Sequence, residues 1–257
     1  MISLSQILSF YPESLHPFKR FILREYLQYK ILEIIFDSKY ADKLCFLGGT
    51  CLRIVHENTR FSEDLDFDNF NLTKQDFEEI AIIIRKELQR QGYEIEMENV
   101  FSGAFHCYIK FPGLLFEEGL SGHEEEKILI QLDTEPQHFD FSPNSYIINK
   151  FDVFTSIRTT PPDILLAQKF FALINRKRKK GRDFFDILFL LKTVRPNLEY
   201  LNLKAGISDV ATLKDHILKI CSKTNLEAMA KDVSPFLFNS SDLKQIRLFG
   251  DYIQQIL

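Results

Sequence analysis

Residues 45–70 read "CFLGGTCLRIVHENTRFSEDLDFDNF", and no other stretch constrains the fold as strongly. An apolar run, Cys45-Phe46-Leu47, stops at Gly48 and Gly49. A helix-like segment starts at Thr50, and Asp64, Asp66 and Asp68 then alternate with apolar residues. Alternation with period two marks a strand. The chain is therefore expected to run strand, glycine turn, short helix, strand. Asp64 and Asp66 would share one face about 7 Å apart, at roughly 3.4 Å per residue. Carboxylates gathered in this way repel one another unless a cation sits among them.

Hard oxygen donors on a rigid strand suit Mg²⁺, which takes one or two carboxylates together with phosphate oxygens. A second ion needs a third acid. The best placed is Asp133 in "ILIQLDTEP", at the end of another apolar strand, so Asp64, Asp66 and Asp133 form the expected metal set. Two ions held there could activate an attacking hydroxyl and steady a leaving pyrophosphate. Gly48, Gly49 and Thr50 supply the other half. A strand that breaks and re-enters a helix turns backbone N–H groups toward a phosphate, and the Thr50 hydroxyl is expected to add a donor. A nucleoside triphosphate with Mg²⁺ serves both features. Arg60 and Ser62, just before the acids, are candidates to touch its phosphates.

The remaining pattern sets the architecture. A long amphipathic helix is expected over residues 17–38 and another over residues 73–92, the latter capped by Thr73. Strands are expected at residues 93–100, 104–111, 126–134 and 145–159, with a hairpin excursion between Pro112 and Glu125. From Pro161 onward only helices are expected, at residues 161–178, 182–194, 209–221, 223–232 and 240–256. The fold class is thus α+β: a mixed sheet with flanking helices over residues 1–160, and an all-helical lobe over residues 161–257 closing on the nucleotide. At 257 residues the chain can bury an ample core. Its net charge of -4 argues against coating nucleic acid through the overall field. Cys45, Cys51, Cys107 and Cys221 lack metal-like spacing and read as buried thiols of a reducing cytosol. Neither a signal peptide nor a run of roughly 20 apolar residues is visible, so a cytoplasmic protein without a membrane span is expected.

The string "FLGGTCLRIVHENTRFSEDLDF" resembles the signature of the AbiEii/AbiGii toxin family, nucleotidyltransferase-like proteins of the DNA polymerase β-type superfamily. Its tail, Arg60-Phe61-Ser62-Glu63-Asp64-Leu65-Asp66-Phe67, is similar to the family's R-x-S-x-D-L-D-F. Further on, "PPDILLAQKFFALINRKRKKGRDFFDILFLL" resembles a later motif, which by position implies Lys169, Arg176, Arg182, Asp183 and Asp186. The likeness runs over roughly residues 20–195. One departure stands out: where the family often has K-x-D, this chain has Gln131-Leu132-Asp133. The resemblance implies a Mg²⁺-dependent transfer of a nucleoside monophosphate to an acceptor hydroxyl, with tRNA the favoured acceptor. It further implies a toxin paired with an antitoxin, often a transcriptional regulator.

Lys169 and Arg176 lie seven residues apart, two helical turns, so both would project from one face toward the triphosphate. The plainer alternative is two surface cations lying over apolar stems. With the resemblance, Lys169 and Asp183 join the acids as expected catalytic residues, and Lys169 and Arg176 as nucleotide-binding ones. Asp183 could equally be a first-turn acid favoured by the helix dipole. The run "RKRKKGRD" holds six cations from Arg176 to Arg182. It is either a solvated loop or a contact for RNA phosphates. Asp68 is expected to be a solvated strand-end acid, and His56 and His106 structural or surface groups. Two other readings stand beside the enzyme: a nucleotide-binding regulatory module that transfers nothing, favoured by Gln131, and transfer to a protein or small-molecule acceptor.

Overall fold

The computed structural model describes residues 2–257, which separate into two compact units. The first comprises the chain through His56, then Phe61–His138 and Ser142–Thr159. The second comprises Glu57–Arg60, Phe139–Phe141 and Thr160–Leu257.

The first unit is a seven-stranded mixed sheet with flanking helices. Its helices are α1 (Leu4–Leu8), α2 (Lys19–Phe36), α3 (Gly48–Val55), α4 (Lys74–Arg90) and α5 (Leu114–Glu117). Its strands are β1 (Leu44–Leu47), β2 (Leu65–Asn69), β3 (Glu96–Ser102), β4 (Ala104–Phe111), β5 (Ile128–Glu135), β6 (Asn144–Lys150) and β7 (Val153–Thr159). The order across the sheet is β3-β4-β5-β2-β1-β7-β6. The β2–β5 and β1–β7 pairs are parallel and the others antiparallel. Phe46, Leu65, Phe67, Ile130, Leu132 and Ile157 fill the core. The capping box expected at Thr73 is present, closed by Asp76. The stretch between Pro112 and Glu125 holds the single-turn α5.

Two elements depart from the sequence expectation for identifiable reasons. The expected strand over residues 145–159 is a hairpin, β6–β7, although its turn carries neither Gly nor Pro. Phe151 takes the left-handed conformation there (φ 60°). Its ring sits 4.9–6.1 Å, centroid to centroid, from those of Phe10, Tyr11, Tyr26 and Tyr29. Packing among aromatic rings thus outweighs the steric cost of a positive φ. Helix α2, read as amphipathic, is buried around much of its girth, Glu25, Gln28 and Lys30 included. Its polar groups serve internal partners: Glu25 accepts from Tyr11, Arg53 and Lys150.

The second unit is helical: α6 (Pro162–Asn175), α7 (Gly181–Leu191), α8 (Leu198–Ala205), α9 (Val210–Cys221), α10 (Leu226–Val233), α11 (Leu243–Arg247) and α12 (Phe249–Ile256). Helix α6 packs on α7 and α8, α7 on α10 and α11, and α9 on α12. Helix α8 is absent from the sequence expectation, although its Asn197 cap and left-handed Gly206 terminator are standard signals. The segment 240–256 is two helices broken near Leu248, not one. A Cβ at Gly181 would lie 2.0 Å from the Met229 carbonyl oxygen, so only glycine lets α7 start this close to α10. Asp232 accepts the Gly181 N–H at 2.8 Å. Cys45, Cys51 and Cys107 are buried thiols, while Cys221 is half-buried. Among the described residues no helix is long and apolar enough to cross a membrane.

Candidate active site

Strand β2 lies between β1 and β5, and this position organises the acids. In the parallel β2–β5 pair, Asp66 stands directly beside Asp133, one strand spacing of about 4.8 Å away. On the other side Asp66 is opposite Leu47, the last residue before the glycines. Asp64 precedes the paired part of β2, which opens at Leu65, and so belongs to the incoming segment rather than to the strand. That segment is fastened from below. The Gln28 amide donates to the Ser62 and Glu63 carbonyls at 3.1 and 2.9 Å, and Arg24 pairs with Glu63 at 2.9 Å. Ser62, expected to reach a phosphate, is buried within it.

The glycine turn is shaped around Asp66. Gly48 opens α3 at φ 80°, and a Cβ there would lie 2.0 Å from Asp66 Oδ2 and 2.8 Å from Asp66 Cβ. Glycine is needed on both counts: the left-handed backbone and the space that the carboxylate occupies. Leu47 provides no side-chain cap for α3. The expectation for the Thr50 hydroxyl is corrected. Thr50 is fully buried and its hydroxyl donates to the Asp64 carbonyl, tying the first turn of α3 to the segment that carries the acid.

Asp133 turns toward the opposite neighbour. His106 of β4 is its cross-strand partner, with Nδ1 2.6 Å from Asp133 Oδ1. Gln131, two residues back on the same face, donates from Nε2 to Oδ1 and Oδ2 at 2.8 and 3.0 Å. His106, read from sequence as a structural or surface group, therefore belongs to this cluster. No local signal announces it, because its register with Asp133 depends on which strands pair across a long excursion. Asp68 also departs from expectation: it is 2 % exposed, not solvated. Its Oδ1 accepts the Asn69 and Gln137 backbone N–H groups, both at 2.8 Å. His56 is partly buried at the end of α3, and burial pushes its imidazole below the usual range.

The remaining expected residues assemble within the helical unit. Asp186 is fully buried and takes a bidentate pair from Arg60, at 2.7 Å from Nε and 2.6 Å from the terminal nitrogen. It also receives the Asn58 amide at 2.9 Å and the Lys169 ammonium at 2.8 Å. Burial alone would raise its carboxyl, but Arg60 and Lys169 overcome this and hold it at about 2. The phosphate contact expected of Arg60 is thereby corrected: the side chain is 1 % exposed and spent on Asp186. Helix α6 ends at Asn175 rather than 178, so Arg176 lies past its end instead of sharing a face with Lys169. Asp183, in the first turn of α7, receives Arg176 and lies 3.8 Å from Lys169.

The donor set at β2 and β5 fits a divalent cation. Asp64, Asp66 and Asp133 are partly exposed hard-oxygen donors, and Gly48 keeps open the space in which the Asp66 carboxylate lies. In the arrangement seen, no three acid, histidine or cysteine side chains among the described residues stand close enough together to hold an ion. The two register partners lean apart, Asp66 onto Gly48 and Asp133 onto His106.

A central strand pairing two carboxylates, beside a helix opened by glycine, within a mixed sheet followed by helices, is the architecture of a nucleotidyltransferase. Two solved structures share the fold. One is the JHP933 protein of Helicobacter pylori, at a TM-score of 0.56 and 18 % identity over 92 % of this chain and 91 % of that one. The other, also from H. pylori, is a candidate nucleotidyltransferase, at a TM-score of 0.57 and 18 % identity over 91 % and 93 %. Among curated proteins none matches. The family described as nucleotidyl transferase AbiEii toxin of type IV toxin–antitoxin systems matches residues 30–240, and the chain belongs to it. It is thus a nucleotidyltransferase of toxin–antitoxin type.

Proposed function

We propose that the protein transfers a nucleoside monophosphate from an NTP to an RNA hydroxyl, favouring the 3′ end of tRNA, in a reaction that depends on Mg²⁺. The observation that carries this reading is the register pair Asp66–Asp133 beside the Gly48 turn. Asp66 and Asp133, with Asp64 from the incoming segment, would hold the divalent ions, and the α3 N–H groups would receive the triphosphate. Bound there, Mg²⁺ would offset phosphate charge and favour the ionised acceptor hydroxyl. The acceptor oxygen bonds to the α-phosphorus, the bond from that phosphorus to the bridging oxygen breaks, and pyrophosphate leaves with the electron pair. The hydroxyl proton passes to solvent.

Support for an RNA acceptor comes from Lys177, Arg178 and Lys180, exposed cations on the loop before α7. For Lys169, Arg176 and Asp183 the proposal is narrower than direct triphosphate contact. Their charges meet one another and Asp186, which supports a role in holding α6 and α7 together. As a member of a toxin–antitoxin family the protein is proposed to act in the cytoplasm, opposed by an antitoxin that regulates transcription.

The test is incubation of purified protein with Mg²⁺, labelled NTPs and total tRNA. Label should enter RNA, stop on chelation, and be absent with Asp66→Ala. Labelling that survives in an Asp64→Ala/Asp66→Ala protein would defeat the assignment of the acids.

A further inference from the structure

We propose that His106 and Gln131 form a bracket that aims one oxygen of Asp133 at the divalent ion, making both of them positioning residues for metal binding. The inference rests on the metal reading above and deepens it. A carboxylate only accepts, so the 2.6 Å contact requires His106 Nδ1 to carry the hydrogen. Gln131 Nε2 spans both oxygens at 2.8 and 3.0 Å. Oδ1 thus receives two donors and Oδ2 one. A carboxylate offers about four acceptor positions, two on each oxygen. The position left over is on Oδ2, which defines a single-oxygen ligand.

Placement supports this use. Asp133 is flanked in register by Asp66 on one neighbouring strand and by His106 on the other. His106 braces it from the side away from the second acid, and Gln131 braces it along the strand. Both side chains come from paired strands, so the bracket is as rigid as the sheet. Asp133 and His106 are each about a quarter exposed, 27 % and 25 %, so the cluster is open to an entering ion. Donors that orient a ligating carboxylate commonly change metal affinity by about 10- to 100-fold when removed.

The experiment is Mn²⁺ binding to the full chain, followed by electron paramagnetic resonance without NTP, with Asp66→Ala as reference. His106→Phe and Gln131→Met should each weaken binding by about tenfold or more. His106→Asn, whose amide N–H falls near the place of Nδ1, should recover most of it. In turnover, the two bracket variants should need more Mg²⁺ for half-maximal rate while approaching the parent rate at saturation. If both bind Mn²⁺ like the parent while Asp66→Ala does not, the bracket is refuted and the metal site stands. If Asp66→Ala also binds like the parent, both fail. Should His106→Phe not fold, Gln131→Met decides.

Discussion

Gly48 has no room for a side chain, and this yields the sharpest test at the residue scale. Gly48→Ala would place a methyl group 2.0 Å from Asp66 Oδ2 on a backbone at φ 80°. The left-handed conformation costs an L-residue about 1–2 kcal/mol, which a thermal melt would register. Displacing the carboxylate by about 1 Å should cost on the order of 100-fold in transfer, measured well below the melt. Thr50 gives a second test. Thr50→Val removes the hydroxyl that donates to the Asp64 carbonyl, a loss of roughly 0.5–1.5 kcal/mol, with a matching fall in rate. Thr50→Ser should retain both stability and rate. What the sequence discloses at this scale divides cleanly. The placement of Gly48, Asp66 and Asp133 is legible because a glycine ends one apolar run and each aspartate sits in an alternating strand pattern. The use of Thr50, Arg60 and Asp68 for internal ties is not, since their partners Asp64, Asp186 and Gln137 lie 14, 126 and 69 residues away. His106 stays hidden for the same reason: only the β4–β5 register brings it to Asp133.

Among the elements, α7 is anchored by the charge cluster at Asp186, and the sign of its pH dependence follows from the depressed carboxyl. Asp186 titrates at about 2 instead of 3.8. Its stabilisation is therefore complete above about pH 4 and is lost as pH falls through 2. A depression of this size corresponds to about 2 kcal/mol at neutral pH. Asp186→Asn removes the carboxylate that Arg60 and Lys169 share, leaving Asp183 3.8 Å from Lys169, and should cost about 3–5 kcal/mol at pH 7. In urea unfolding, the gap between parent and variant should narrow between pH 4 and pH 2. A gap constant over that range would contradict the assignment. This anchor also explains which boundaries were legible. Helices α6 and α7 announce themselves by apolar spacing, and Gly181 is fixed by contact with α10, whereas the break between α11 and α12 has no glycine or proline closer than Gly250. The β6–β7 turn is likewise held by the ring contacts of Phe151 and not by a glycine or proline.

At the scale of the whole molecule the net charge of -4 repels a polyanion, so RNA must be met by a local exception. The segment Arg176–Arg182 offers one, although not all six cations are available. Arg176 is paired with Asp183, and Lys179 donates to the Ile174 and Arg176 carbonyls at 3.1 and 2.7 Å. Lys177, Arg178 and Lys180 are exposed, and no acid pairs with them among the described residues. Each phosphate neutralised on single-stranded nucleic acid adds about 0.7 to the slope of log affinity against log salt. If all three meet phosphates, Lys177→Gln/Arg178→Gln/Lys180→Gln should lower that slope by about 2. Labelling of tRNA would weaken most at low salt, where the lost counterion release counts most. The KM for NTP should stay at the parent value, because the Asp66–Asp133 pair and the α3 turn draw on none of these residues. An unchanged salt slope would mean that the loop is only solvated and that the acceptor docks elsewhere. A raised KM for NTP with an unchanged slope would instead assign these cations to the triphosphate.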